Sequence, residues 1–142
     1  MADCVFCEIV AGTSPASVVY ADDDVVAFMD ILPVNPGHIL VIPRTHATHL
    51  VDLPPATVGP LMTVAHRIAL AIQKSPLRAD GLNLFLADGE AAGQEVFHVH
   101  LHVIPRLAGD GLSLLVDYDP APPRAALDDH AATIADALTG TG

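Results

Sequence analysis

Residues 98–102 read His-Val-His-Leu-His, three imidazoles alternating with aliphatic side chains, and Val103 and Ile104 follow before Pro105. A period of two is the period of a strand, so residues 96–104 are predicted to be extended, with successive histidines about 6.6 Å apart on one face. Histidine is neither a favoured strand residue nor cheap to bury, so three in register need a use. A polar, hydrogen-bonded face asks least of them. A metal cluster, or a nucleophilic imidazole flanked by helpers, asks more. Strand-end His-x-His pairs for metal-assisted hydrolysis belong to barrels of about 250 residues, and this chain has 142. Neutral imidazole, with an ordinary pKa of about 6.5, attacks phosphorus without losing a proton first. It needs an acceptor to hold one ring N–H, and a neighbour to serve the phosphate and the leaving atom.

The rest of the chain supplies a sheet and helices around that segment. Residues 18–20 and 25–30 flank the acidic turn Asp22, Asp23, Asp24 and predict a hairpin; residues 39–42, closed by Pro43, predict a third strand. Residues 82–87 predict another, before the glycine-bearing loop DGEAAGQ at 88–94. Val58, Leu61, Met62, Ala65, Ile68, Ala69 and Ile72 recur at three- and four-residue steps and predict a helix over 57–73. A second, Ala-rich helix is predicted over 125–138, with Leu127, Ile134 and Leu138 for docking, and residues 4–11 read as a short apolar lead-in. The expectation is one α+β domain over 1–142, with a mainly antiparallel sheet of about five strands and two helices.

Charge and cysteine usage narrow the partners. Six Lys and Arg against 17 Asp and Glu give a net charge of −11, which repels polyanions, so long nucleic acid is excluded. No apolar run reaches the roughly 18 residues of a membrane span, and the start has no basic segment leading into an apolar one, which predicts a cytoplasmic protein. Cys4 and Cys7 are the only cysteines. In that compartment Cys-x-x-Cys reads as metal or redox; a thioredoxin-type motif expects a preceding strand, and only three residues precede Cys4, so structural zinc fits better.

HVHLHVIPR resembles the motif that names the histidine triad (HIT) superfamily of nucleotide hydrolases and transferases. CVFCEIVAG, FMDILPVNPGHILVIPRTH and DGEAAGQEVFHVHLHVIPR resemble it in order and spacing over residues 4–106, while the tail 107–142 carries nothing diagnostic. The resemblance implies a HIT-like fold and a homodimer. It implies that His100 is the nucleophile on the α-phosphate of a nucleoside phosphate derivative, with His102 and His38 close to the phosphate. It also implies Asp30 on the ribose hydroxyls, Phe6, Ile9, Phe28 and Ile31 as apolar walls around the base, and Gly93, Gln94 and Glu95 in the loop that meets the nucleotide. Ordinary core serves as well for each apolar residue, a turn or cap carboxylate for Asp30, and a turn-orienting role for His38. The zinc-containing bacterial branch implies Cys4, Cys7, His46 and His98 as ligands, with His49 a rival to His46 and with His66 and His130 on the surface.

The activity expected from the resemblance is that of a phosphoramidase or pyrophosphohydrolase releasing a nucleoside monophosphate. The alternatives are a nucleotide- or partner-binding module with weak turnover and a nucleotidyl transferase. Two departures bear on this. Thirteen residues before the middle histidine, where the family usually has Asn or Gln, stands Ala87, which has no side-chain hydrogen bond to give. Where Ser or Thr usually follows Gly-Gln stands Glu95, whose carboxylate repels a phosphate, or else donates a proton or selects a cationic leaving group.

Overall fold

Two strongly apolar runs of the chain lie at the middle of a sheet. In the computed structural model, which describes residues 3–113, 115–116 and 118–140, these runs form β2 (Val25–Met29) and β3 (Ile39–Pro43), and β3 is buried from end to end. With β1 (Val18–Ala21), β4 (Gly81–Phe85) and β5 (Leu101–Arg106) they make a five-stranded sheet in the order β1-β2-β3-β5-β4, every neighbouring pair antiparallel. The β1–β2 turn closes on Asp22, whose carboxylate accepts from the N–H groups of Asp24 and Val25, each at 2.8 Å. This is a local Asx arrangement that needs no tertiary partner.

Because side chains alternate across the strands, the sheet has two different faces. Val25, Ala27, Ile39, Val41 and Val103 point to one and meet Leu61, Val64, Ala65, Ile68 and Ile72 of α2 (Pro55–Lys74). That helix turns a stripe at 61, 64, 65, 68 and 72 to the sheet, so Val58 and Met62, expected in the stripe, lie on its exposed flank. The opposite face carries Val26, Phe28, Leu40 and Ile42 and is covered by Phe6, Ile9 and Val10. His102 stands opposite Leu40 in register, on this second face.

Among the described residues there are three α-helices where the sequence predicts two. The additional one is α1 (Val5–Ala11), in the apolar lead-in. Its seven residues are too few to be stable alone in water. Cys4 caps its start, its Sγ accepting from the Cys7 N–H at 3.4 Å, and Gly12 closes its end with φ of 78°, in the left-handed region. Packing of Phe6 against the sheet supplies the remaining stability.

The strand predicted over 96–104 also changes. Only residues 101–106 join the sheet; before them the chain bends, and the Val99 N–H donates to the Ala47 carbonyl at 2.7 Å instead of to a strand. Pro105 lies inside β5 because β3 pairs with it only from Leu101 to Val103, so the missing N–H falls beyond that ladder. β4 likewise runs 81–85, short of the 82–87 expected. Residues up to Leu112 form one unit, and the residues from Ser113 a second, in which α3 (Arg124–Gly140) is helical as predicted. No helix among the described residues is long and apolar enough to cross a membrane.

Candidate active site and metal centre

His100 is buried, and its Nδ1 lies 2.7 Å from the carbonyl oxygen of His98. A carbonyl only accepts, so Nδ1 carries the hydrogen, and in the neutral ring Nε2 is left with its lone pair. The Phe6 ring makes a T-shaped contact with this imidazole at 5.2 Å between centroids, and the His102 ring lies 5.0 Å away. The fixed tautomer that a nucleophilic imidazole requires is therefore set by the backbone two residues upstream.

His102 is governed from the other side. The Val34 N–H donates to Nδ1 of His38 at 3.0 Å, so neutral His38 holds its hydrogen on Nε2. That N–H meets Nδ1 of His102 at 2.8 Å, with Asp30 Oδ2 at 3.4 Å. His102 consequently accepts on Nδ1 and keeps its own hydrogen on Nε2. Burial, followed by the neighbouring His100 and His38, pushes the pKa of His102 down to about 4; burial lowers that of His38 as well, against the pull of Asp30. Both rings are neutral at pH 7.

Asp30, His38 and His102 bring one ligand-type atom each within 4.8 Å of the others, yet their hydrogen bonds argue against a cation. A metal on His38 Nε2 would require the hydrogen on Nδ1, where the Val34 N–H already donates. Two nitrogens sharing a tetrahedral ion with bonds of 2.0–2.1 Å also stand about 3.3 Å apart, longer than the 2.8 Å found.

A second group of atoms has the opposite character. The thiols of Cys4 and Cys7 and one nitrogen each of His46 and His98 also lie within 4.8 Å of one another. Nδ1 of His98 is 3.4 Å from Cys4 Sγ and 3.6 Å from Cys7 Sγ, and Nδ1 of His46 is 3.2 Å from Cys7 Sγ. His98, with none of its surface exposed, gives its Nε2–H to the Pro43 carbonyl at 2.8 Å, which turns the Nδ1 lone pair toward the sulfurs. His46 Nε2 lies 3.2 Å from the Thr48 hydroxyl. Burial and the adjacent Cys4 push the Cys7 thiol up, a cost that a bound cation reverses by favouring the thiolate.

His46, and not His49, is the histidine brought to the thiols. His49 instead lies with Nδ1 3.2 Å from Asp88 Oδ1, edge-on to Phe97. His66 and His130 are exposed. Phe6 and Phe28 meet at 5.4 Å in an edge-to-face pair with Ile9 beside them, whereas Ile31 stands outside that cluster, 89% exposed. Asp30 caps its own turn, Oδ1 accepting from the Leu32 N–H at 2.9 Å, while Oδ2 faces His38. Gln94 is buried, and its amide serves the loop: Oε1 accepts from Gly89 N–H at 2.7 Å and Nε2 donates to the carbonyls of Thr48 and Val96. Gly93 has φ of 91° at the end of the 3₁₀ turn Glu90–Ala92, and Glu95 projects into solvent beside the buried Gln94. Ala87 is buried. Sequence reasoning passed over Phe85, half-exposed, whose ring lies 5.8 Å from His102; its place at the end of a strand paired with the histidine strand was the available signal.

The family model described as the HIT domain matches residues 11–109, most of the chain and all three histidines of the row. The chain belongs to the HIT family. Among relatives within it, an uncharacterized HIT-like protein of Mycobacterium tuberculosis is 45% identical over 111 residues, 78% of this chain and 76% of that one. The adenylylsulfatase HINT3 of Arabidopsis thaliana is 41% identical over 78% of this chain and 55% of its own length. Among solved structures, a Zn-bound histidine triad family protein from Mycobacterium smegmatis is 50% identical with a TM-score of 0.75, covering 83% of this chain and 85% of that one.

Proposed function

We propose that this HIT protein is a nucleotide-binding hydrolase that cleaves nucleoside phosphoramidates or dinucleotide polyphosphates at the α-phosphate and releases a nucleoside monophosphate. The observation that carries this reading is the His100 tautomer: with Nδ1–H held by the His98 carbonyl, the Nε2 lone pair is free to attack. In the first step Nε2 forms a bond to the α-phosphorus and the bond to the leaving group breaks. His102, neutral with its hydrogen on Nε2, donates a hydrogen bond to the departing atom, which takes its proton from solvent water. Water then attacks the nucleotidyl-histidine, restoring the imidazole and freeing the monophosphate. Asp30 would receive the ribose hydroxyls, and Phe6, Ile9, Phe28 and Ile31 the base. A relative that is an adenylylsulfatase supports nucleotide chemistry for this site.

The Cys4, Cys7, His46 and His98 donor set suits structural zinc. Bonds of about 2.3 Å to sulfur and 2.0–2.1 Å to nitrogen at tetrahedral angles separate S from N by about 3.5 Å, close to the 3.2–3.6 Å seen between sulfurs and nitrogens. Zinc there would tie α1 to the sheet and, through His98, steady the carbonyl that holds His100. A Zn-bound structural neighbour supports this assignment. The protein would act in the cytoplasm as a homodimer, for which the outer edge of β4, with Leu84 and Phe85 partly exposed, offers a surface.

A single-turnover reaction with a labelled nucleoside phosphoramidate tests the reading. It should trap a nucleotidyl-protein that is acid-labile and alkali-stable, and the absence of both adduct and monophosphate would end it. Ala87 and Glu95 favour a second reading, a nucleotide-binding module with slow turnover, in which binding persists without release of product. A nucleotidyl transferase would form the same adduct and pass it to an acceptor other than water.

A further inference from the structure

The turn over residues 33–38 presents His38, and besides the His38–His102 bond it is tied across to β5 by the side chain of Asn35. The Asn35 amide gives one hydrogen to the Pro105 carbonyl at 2.9 Å and the other to Asp110 Oδ2 at 2.8 Å. Asp110 is itself pinned. Arg106 grips both of its oxygens, each at 2.8 Å, and the N–H groups of Leu107 and Leu112 donate to them at 3.0 and 3.1 Å. Arg106 also donates to Asn83 Oδ1 at 2.6 Å, so the knot is fastened to β4. The Asp110 side chain is only 4% exposed, and the Arg106 guanidinium, then the Leu107 N–H, hold its carboxyl well below the usual carboxylate range. The hydrogen bonds of the Asn35 amide go to Pro105 and Asp110 and not to a histidine ring.

The same turn sets the His38 proton. Val34 and Asn35 are consecutive; the Val34 N–H donates to His38 Nδ1, and the Asn35 carbonyl accepts from the His38 N–H at 3.2 Å. Gly37, with φ of 93°, fits against Pro105 so closely that a Cβ there would come within 3.2 Å of the proline ring. The turn is thus seated on Pro105 at Gly37 and fastened at Asn35. We propose that Asn35 and Asp110 are positioning residues for the reaction: they hold the 33–38 turn in the conformation that keeps the His38 hydrogen on Nε2. Through His38 they keep the His102 hydrogen on the ring nitrogen that serves the leaving group. This rests on the reading of His102 as hydrogen-bond donor to the leaving group.

Long-range ¹H–¹⁵N spectra of the histidine side chains at pH 7, read beside steady-state kinetics on a nucleoside phosphoramidate, test it. The wild type should show His38 and His102 as Nε2–H tautomers and His100 as Nδ1–H. Asn35→Ala should turn His38 into a tautomer mixture, leave His100 as it was, and lower kcat about tenfold with KM within about twofold, a loss confined to the transition state. Asp110→Asn should move the same signals in the same direction, to a smaller extent. Should Asn35→Ala fail to fold, Asp110→Asn decides by the same readouts. Unchanged His38 and His102 tautomers in a folded variant overturn the proposal, whatever happens to kcat. A wild type that hydrolyses no nucleoside phosphoramidate overturns the catalytic reading alone, and the tautomer shift still decides whether these residues position His38.

Discussion

Two clusters of this protein gather metal-type ligands within the same 4.8 Å, and they differ in what stands behind each imidazole. Behind His98 is a carbonyl, Pro43, which takes the ring hydrogen and sends the lone pair toward Cys4 and Cys7. Behind His38 is an N–H, that of Val34, which takes the lone pair and sends the ring hydrogen toward His102 and Asp30. The first arrangement offers converging lone pairs, as a cation needs. The second offers a chain of hydrogen bonds that fixes the hydrogen on each ring. Residue type alone does not separate a metal site from a hydrogen-bonded chain of imidazoles; the partner of the far nitrogen does.

The most severe way to break the catalytic half of the comparison is His100→Ala. Turnover should fall by more than about a thousandfold, as expected for loss of a nucleophile, while nucleotide affinity, measured by calorimetry, should stay within a few-fold. Wild-type turnover in that variant would remove covalent catalysis by His100. The matching change in the other half is Cys7→Ser. Protein purified with reduced thiols and no added metal should hold about one zinc per chain, and the variant should lose it. Its Tm should drop by about 10 °C, the equivalent of about 3 kcal/mol in a domain of this size. Metal-free wild-type protein with both thiols reduced would overturn the assignment of the cluster.

A smaller effect sharpens the boundary between catalysis and binding. Ala87→Asn with Glu95→Ser should raise kcat/KM about tenfold, since one restored hydrogen bond to a charged group is worth roughly 1.5–3 kcal/mol. Glu95→Gln isolates the charge: a gain supports repulsion of the phosphate, and a loss assigns Glu95 to the leaving group. No change in any of the three variants on a confirmed substrate would detach the 87–95 loop from the reaction.

The smallest effect is on stability against pH. His102 is faced by His100, His38 and Asp30 and by the Phe85 ring. Its folded pKa of about 4 lies below the ordinary 6.5, so the unfolded chain binds more protons between those values. The stability contributed by this neutral ring is therefore whole above pH 6.5 and lost as pH falls toward 4; the lowered pKa of His38 acts in the same direction. Thermal melts should show Tm falling by a few degrees from pH 7 to pH 5, and His102→Asn should flatten part of that slope. A flat profile in the wild type would show that neither ring is held neutral by the fold.

The sequence by itself determined the elements whose cause is local. Alternation at 98–104 marked the histidine row, three- and four-residue steps marked α2, and Pro and Gly marked the turns between strands, because each pattern reports which faces of one segment must be buried. The Cys-x-x-Cys pair was legible as metal-type, whereas its partners His46 and His98 came only with the family resemblance. The helicity of α1 was not: Phe6, Ile9 and Val10 fit a helical face closed by Gly12, but seven residues cannot hold a helix without the sheet beneath them. Nor could sequence choose between His46 and His49, three residues apart and alike in chemistry, until the loop carried one toward Cys7 and the other toward Asp88. The tautomers were furthest from view. The atom that sets His98 belongs to Pro43, 55 residues away. Those that seat the turn around His38 belong to Pro105 and Asp110. A hydrogen's position on an imidazole depends on partners that only the folded chain brings within 3 Å.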